Sequence, residues 1–167
     1  MIYIYYDFGG THTSSIAATV HLKLIPNDKV PSKDEVMKVP MFDKLSFQDR
    51  AKIVYRGTDE DGNKVFTLGH GIHKKMVFCL QNAIYMLHQQ YGFNERLVLS
   101  STSPTVPLSM TFGGFFSRAL KLKFIGRPLL VKGARKNFKK MVKLVEITKN
   151  SARANELPVL NLENKDL

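Results

Sequence analysis

The sequence predicts an α/β domain: a mostly parallel sheet with helices on both faces in three layers, plus one β-hairpin. Three observations predict it. Strand-like runs alternate with helix-like runs along the chain. One pair of strand-like runs flanks a Gly/Asp-rich turn. The length of 167 residues, 44% hydrophobic and 23% charged, is that of one globular domain.

Ile2–Tyr6 is β-branched and aromatic, and reads as a buried strand. Asp7 to Thr13 holds two glycines and reads as a turn. Ser14–Leu24 places Ile16 and Val20 on one helical face and stops before Pro26. A short helix near Lys33–Val39, capped by Ser32, interrupts the irregular chain to Asp49. Lys52–Arg56 and Lys64–Leu68 form the hairpin around Gly57–Asn63. Ile72–Tyr91 carries Val77, Leu80, Ile84 and Leu87 at helical spacing and ends at Gly92. Arg96–Leu99 reads as a strand, and Pro107 opens a helix containing Phe112, Phe115 and Ala119, with Gly113-Gly114 inside it. Pro128–Val131 reads as a last strand and Arg135–Thr148 as a last helix. Residues 1–149 are thus expected to form the domain and 150–167 a flexible polar tail.

At this size roughly 70% of the unfolded chain's surface can be buried, so the fold needs no metal or disulfide staple. The single cysteine, Cys79, lies between Phe78 and Leu80 and excludes an internal disulfide. No apolar run reaches the ~20 residues of a membrane span, and no secretory leader is evident. A cytoplasmic location is expected.

The formal net charge is +11 and uneven. Residues 1–70 hold nine basic and nine acidic side chains, whereas Arg118–Lys149 holds eleven basic residues against Glu146 alone. That segment attracts an acidic protein or nucleic acid, or is simply the solvated face of a helix. Lys136, Lys139, Lys140 and Lys143 lie opposite Phe138, Met141, Val142 and Val145 on a helical wheel, as the solvated face requires.

In an open α/β sheet, ligands bind outside the carboxyl ends of the strands. This reading brings three loops to one rim: Asp7–Ser15, Ser100–Thr105 and Lys132–Arg135. In the first, Gly9 and Gly10 permit close backbone approach, and Thr11, Thr13, Ser14 and Ser15 add hydroxyls at a helix start. Ser101, Thr102 and Lys132 come from the other two loops. Together these residues suit a phosphorylated or anionic small ligand, with His12 and Asp7 the acid/base pair for phosphoryl-transfer or hydrolytic chemistry. The alternative is a non-enzymatic regulatory protein that docks an acidic partner on the basic segment. A further possibility at the first loop is that the glycines merely make the turn and Asp7 hydrogen-bonds within it.

Standard signatures are absent. The loop lacks the lysine of a nucleotide-binding G-x-x-x-x-G-K-[ST], and there is no G-x-G-x-x-G. Asp7 and Thr13 stand where a cysteine phosphatase needs Cys-x5-Arg. No G-x-S-x-G elbow surrounds a serine. His70 and His73 have no third ligand, so no metal site is expected.

The runs IYIYYDFGGTHTSSIAATVHLKLIP, YRGTDEDGNKVFTLG and GGFFSRALKLKFIGRPLLVKGARKNFKKMVKLVE resemble an uncharacterised bacterial family, one of the domains of unknown function, frequent in spore formers. The resemblance covers roughly residues 1–149. Gly9-Gly10-Thr11-His12 and Gly126-Arg127-Pro128 are its most distinctive parts. It implies relatives with a cysteine at the position of Asp7, so a thiol-dependent role does not carry over, and it implies no activity.

Overall fold

The computed structural model describes residues 1–167, apart from the side chain of Phe47. Its centre is β1 (Ile2–Asp7), five of whose six residues are buried. On one side β1 pairs in parallel with β3 (Lys64–Gly69), which pairs antiparallel with β2 (Ile53–Thr58). On the other side β1 pairs in parallel with β4 (Leu97–Ser101), and β4 with β5 (Val159–Leu162). The order is β2-β3-β1-β4-β5, and only the hairpin strand β2 runs against the rest.

Alternation along β1 sends side chains to two cores. Tyr5 meets Ile16, Ala17 and Val20 of α1 (Thr13–His21), together with Leu130 of α5 (Lys123–Lys136) and Met141 and Leu144 of α6 (Phe138–Arg153). Ile4 and Tyr6 join Leu68, Leu97 and Leu99 on the opposite face, covered by Val77, Leu80 and Ile84 of α3 (Lys75–Tyr91). The helices therefore cover both faces in three layers, as expected. All nine residues of α1 are buried. The short α2 (Lys33–Lys38) begins at Ser32, which forms a capping box with Glu35.

The hairpin turn is fastened to α1. Asp59 accepts from the backbone N–H and Nδ2 of Asn63 at 2.8 and 3.0 Å and from Nε2 of His21 at 2.9 Å. Nδ1 of His21 accepts from the Tyr5 hydroxyl at 2.8 Å. Burial holds the His21 pKa below its ordinary value, so the ring is neutral and bridges two buried groups. Burial alone would raise the Asp59 pKa, but the bonds from His21 and Asn63 bring it down to about 2.

Three expectations are corrected. Pro128–Val131 is not a strand but the middle of α5. Gly113 of α4 (Leu108–Gly114) and Gly126 let these two helices touch: a Cβ on Gly113 would stand 2.8 Å from Leu130 N and 2.9 Å from Gly126 O. That contact holds the segment helical despite its proline. The break between α5 and α6 falls at Asn137, inside the span expected to be one helix. Residues 150–167, expected as a flexible tail, instead complete α6 and supply β5. Val159 is buried against the α3-side core, which gives β5 its anchor. Among the described residues no helix is long and apolar enough to cross a membrane.

Candidate functional site

After β1 the chain turns into α1 and passes toward β2 and β3. After β4 it passes through α4, α5 and α6 to β5 on the other side. Neighbouring strands whose connections diverge leave a crevice at their carboxyl ends. A cavity of about 610 Å³ lies there. It is lined by Asp7, Phe8, Gly9, His12 and Thr13 after β1, by Ser103 and Val106 after β4, and by Arg50. Met110, Thr111 and Gly114 of α4 close it, with Phe115, Arg118 and Ala119 of the π-helical turn (Phe115–Ala119) that continues α4.

Asp7 does not point an open carboxylate at this space. Its Oδ1 accepts from the backbone N–H of Gly9 at 2.9 Å and of Gly10 at a very short distance. Its Oδ2 accepts from the Thr13 hydroxyl at 2.7 Å, the Ser14 N–H at 3.1 Å and the Thr102 hydroxyl at 3.4 Å. The glycine amides and the α1 start do form an anion nest, and the chain's own carboxylate fills it. Gly10 serves packing. Gly10 has φ +68°, and a Cβ on it would stand 2.6 Å from the backbone N of Gly69 at the end of β3. The Gly69–Gly71 turn therefore faces the rim, with His70 N–H donating to Asp7 O at 3.0 Å.

Of the residues expected at the site, Asp7, Gly9, His12 and Thr13 line the cavity. Gly10, Thr11, Ser14, Ser15, Ser101, Thr102 and Lys132 do not. The Thr11 hydroxyl donates to Met41 O at 2.6 Å. The Ser14 and Ser15 hydroxyls are enclosed in the interior without a hydrogen-bond partner among the described residues. Thr102 lies beneath the loop against Thr13, at 3.0 Å. Ser101 is the buried end of β4. Lys132 is corrected along with its supposed strand: it is exposed on α5, with no strand end to carry it to the rim.

His12 is held by Asp43. Its Nε2 donates to Asp43 Oδ1 at 3.3 Å, while Asp43 Oδ2 accepts from the Ser117 hydroxyl at 2.7 Å and Arg127 Nε at 3.3 Å. Burial works against the Asp43 carboxylate, but the bonds from His12 and Ser117 keep its pKa below the ordinary value. An ionised carboxylate only accepts, so Nε2 of His12 carries its hydrogen toward Asp43.

Sequence reasoning missed the two guanidinium groups. Arg50 stacks over the Phe8 ring, 4.5 Å from its centroid. Arg118 sits in the π turn, and its Nη2 is buried with no hydrogen-bond partner among the described residues. Burial lowers the Arg118 pKa, attraction to Asp43 opposes this, and repulsion from Arg50 adds to it. The available signal was one charge amid the apolar run GGFFSRAL. Asp43 gave none, standing in irregular chain after Pro40. Among the described residues no cluster of three or more His, Cys, Asp or Glu could hold a metal ion.

The basic segment is divided. Besides Arg118 and Arg127, Arg135 donates to Pro31 O at 2.8 Å and Lys149 pairs with Glu60 at 3.1 Å. Lys136, Lys139, Lys140 and Lys143 are exposed, with Phe138, Met141 and Val145 turned into the core.

Residues 2–150 match the model of one family, described as a protein of unknown function (DUF3189). The chain belongs to this family. The match runs from β1 almost to the end of α6 and so contains every residue that lines the cavity. No curated protein and no solved structure matches the chain. The family description names no activity, so chemistry has to be read from the cavity.

Proposed function

We propose that the chain binds a phosphorylated or otherwise anionic small ligand in the cavity beyond β1 and β4, with the negative charge against Arg118 and Arg50. The observation that carries this reading is the buried Nη2 of Arg118, unpartnered among the described residues. A buried guanidinium N–H without an acceptor costs about 1–3 kcal/mol, and a charged acceptor removes that cost. Asp7, Asp43 and Asp49, the nearby carboxylates, are already engaged by other donors. Arg50, close enough to Arg118 to repel it, brings a second guanidinium to the lining.

The glycine loop supports the site indirectly. With its amides on Asp7, it sets the floor from which His12 and Thr13 project. Hydrolytic or phosphoryl-transfer chemistry on the bound ligand would use His12 as proton acceptor through Nδ1, with Asp43 holding the ring. Asp7 is the loop's organiser in this reading. Docking of an acidic protein or nucleic acid on residues 118–149 is the weaker proposal, because Arg127, Arg135 and Lys149 are already used within the fold and Arg118 lines the cavity.

The test is thermal shift and calorimetry of wild type and Arg118→Met against phosphate, phosphate esters and nucleotides. Wild type is expected to be stabilised by an anion in a salt-sensitive way. Arg118→Met should bind that anion at least about tenfold more weakly. Without ligand, the variant should melt a few degrees higher, since removing an unpaired buried donor returns about 1–2 kcal/mol at ~2–4 °C per kcal/mol. If no anion shifts wild type, or if Arg118→Met binds as well, the proposal fails.

A further inference from the structure

Beside Asp7, His12, Arg50 and Arg118, the surface that the cavity exposes is mostly apolar. Phe8, Val106, Met110, Phe115 and Ala119 supply most of it. Three of these are uncovered: Phe8 is 50% exposed, Phe115 54% and Val106 37%. A space of about 610 Å³ holds roughly twenty waters at ~30 Å³ each, far more than an inorganic anion fills. Hydroxyl-rich ligands such as sugars or ribose need several donors and acceptors besides the anion site. The side-chain hydroxyls on the lining are those of Thr13, Ser103 and Thr111, and Thr13 is turned to Asp7.

Resting on the anion-binding reading above, we infer that the ligand is an amphipathic anion: a phosphate or carboxylate carrying an aromatic or alkyl body. The headgroup meets Arg118 and Arg50, and the body covers Phe8, Val106 and Phe115. The stacked Phe8–Arg50 pair, with the guanidinium 4.5 Å from the ring centroid, joins the two regions. Apolar rings left in water beside a cation are surface that such a ligand removes from solvent in the same step as it neutralises the charge.

The experiment is calorimetric titration of the full chain with inorganic phosphate, glucose 6-phosphate, phenyl phosphate, benzoate, octanoate and uncharged phenol. Phenyl phosphate, benzoate or octanoate is expected to bind at least about tenfold more tightly than inorganic phosphate, with phenol weaker than either charged aromatic ligand. The better of phenyl phosphate and benzoate tells which headgroup the arginines select. Phe115→Ser should lower affinity for the amphipathic ligand several-fold and leave that for inorganic phosphate unchanged. Val106→Thr, nearly isosteric, should act in the same direction if Phe115→Ser perturbs the π turn. Equal or tighter binding of inorganic phosphate or glucose 6-phosphate overturns this inference and leaves anion binding standing. Phenol binding as tightly as the anions overturns it too, and binding of none of the anions removes both.

Discussion

Replacing Asp7 by asparagine separates an organising role from a chemical one. The two side chains have the same shape, but a carboxylate accepts at both oxygens whereas a carboxamide accepts at one and donates at the other. If the amide oxygen keeps the place of Oδ1, it retains the Gly9 and Gly10 amides, and the NH2 then faces the Ser14 N–H. The Thr13 hydroxyl can rotate to accept, but the Ser14 amide cannot. If the amide oxygen takes the other place, two glycine amides lose their partner instead. The first arrangement costs least. It orphans one buried N–H, about 1–3 kcal/mol, and it strips the charge from the bonds that remain. A total near 3 kcal/mol at ~2–4 °C per kcal/mol lowers the melting temperature by about 6–12 °C. Urea denaturation of both proteins, with equal m-values, measures the difference directly. A loss below about 0.5 kcal/mol would refute the view that Asp7 builds the loop and make it once more a candidate for chemistry.

The glycine packing is tested by comparing Gly10→Ala with Gly62→Ala. Both positions have positive φ, +68° and +77°, but a Cβ at Gly62 meets no described atom within 4 Å, whereas at Gly10 it meets Gly69 backbone. Gly62→Ala should cost about 1 kcal/mol for the left-handed conformation alone, and Gly10→Ala at least ~2 kcal/mol more or no folded protein; equal losses would remove the close approach. The His21 bridge sets a pH dependence. The folded pKa is depressed, so below the unfolded value near 6.5 the unfolded chain takes up a proton that the folded one refuses, and stability falls with pH at up to 1.36 kcal/mol per unit. His21→Gln should flatten the wild-type profile between about pH 5 and 6.5, and unchanged curvature would show that the ring is not held neutral.

Much of the fold was legible because its elements carry their own period and punctuation. β1 is an unbroken β-branched and aromatic run, the hairpin is set by its Gly/Asp turn, and α3 shows helical spacing up to Gly92. Pro128–Val131 misled because four apolar residues fit a buried strand and a buried helix turn equally well. Contact with Gly113 decided between them, and no local pattern reports such a contact. β5 was hidden for the opposite reason: its asparagine and its flanking charges read as polar, while edge pairing with β4 supplies its order. At the site, the acceptors and donors of the first loop were visible, but not that they satisfy one another. An aspartate two residues before a glycine pair can serve either a ligand or its own backbone. Arg118 became notable only once α4 was seen to wind past the crevice, and Asp43 only once irregular chain was seen folded beneath His12.

The π turn at Phe115–Ala119 holds one residue more per turn than an ordinary helix. Removing a single codon from this stretch would let it rewind as ordinary α-helix, which keeps the phase of the residues beyond the turn but carries Arg118, inside it, off its place at the wall. The sheet would not register the change. Within the family, a one-residue gap at this point would therefore mark a split between members with a cationic crevice and members without one, even where the rest of the chain aligns closely.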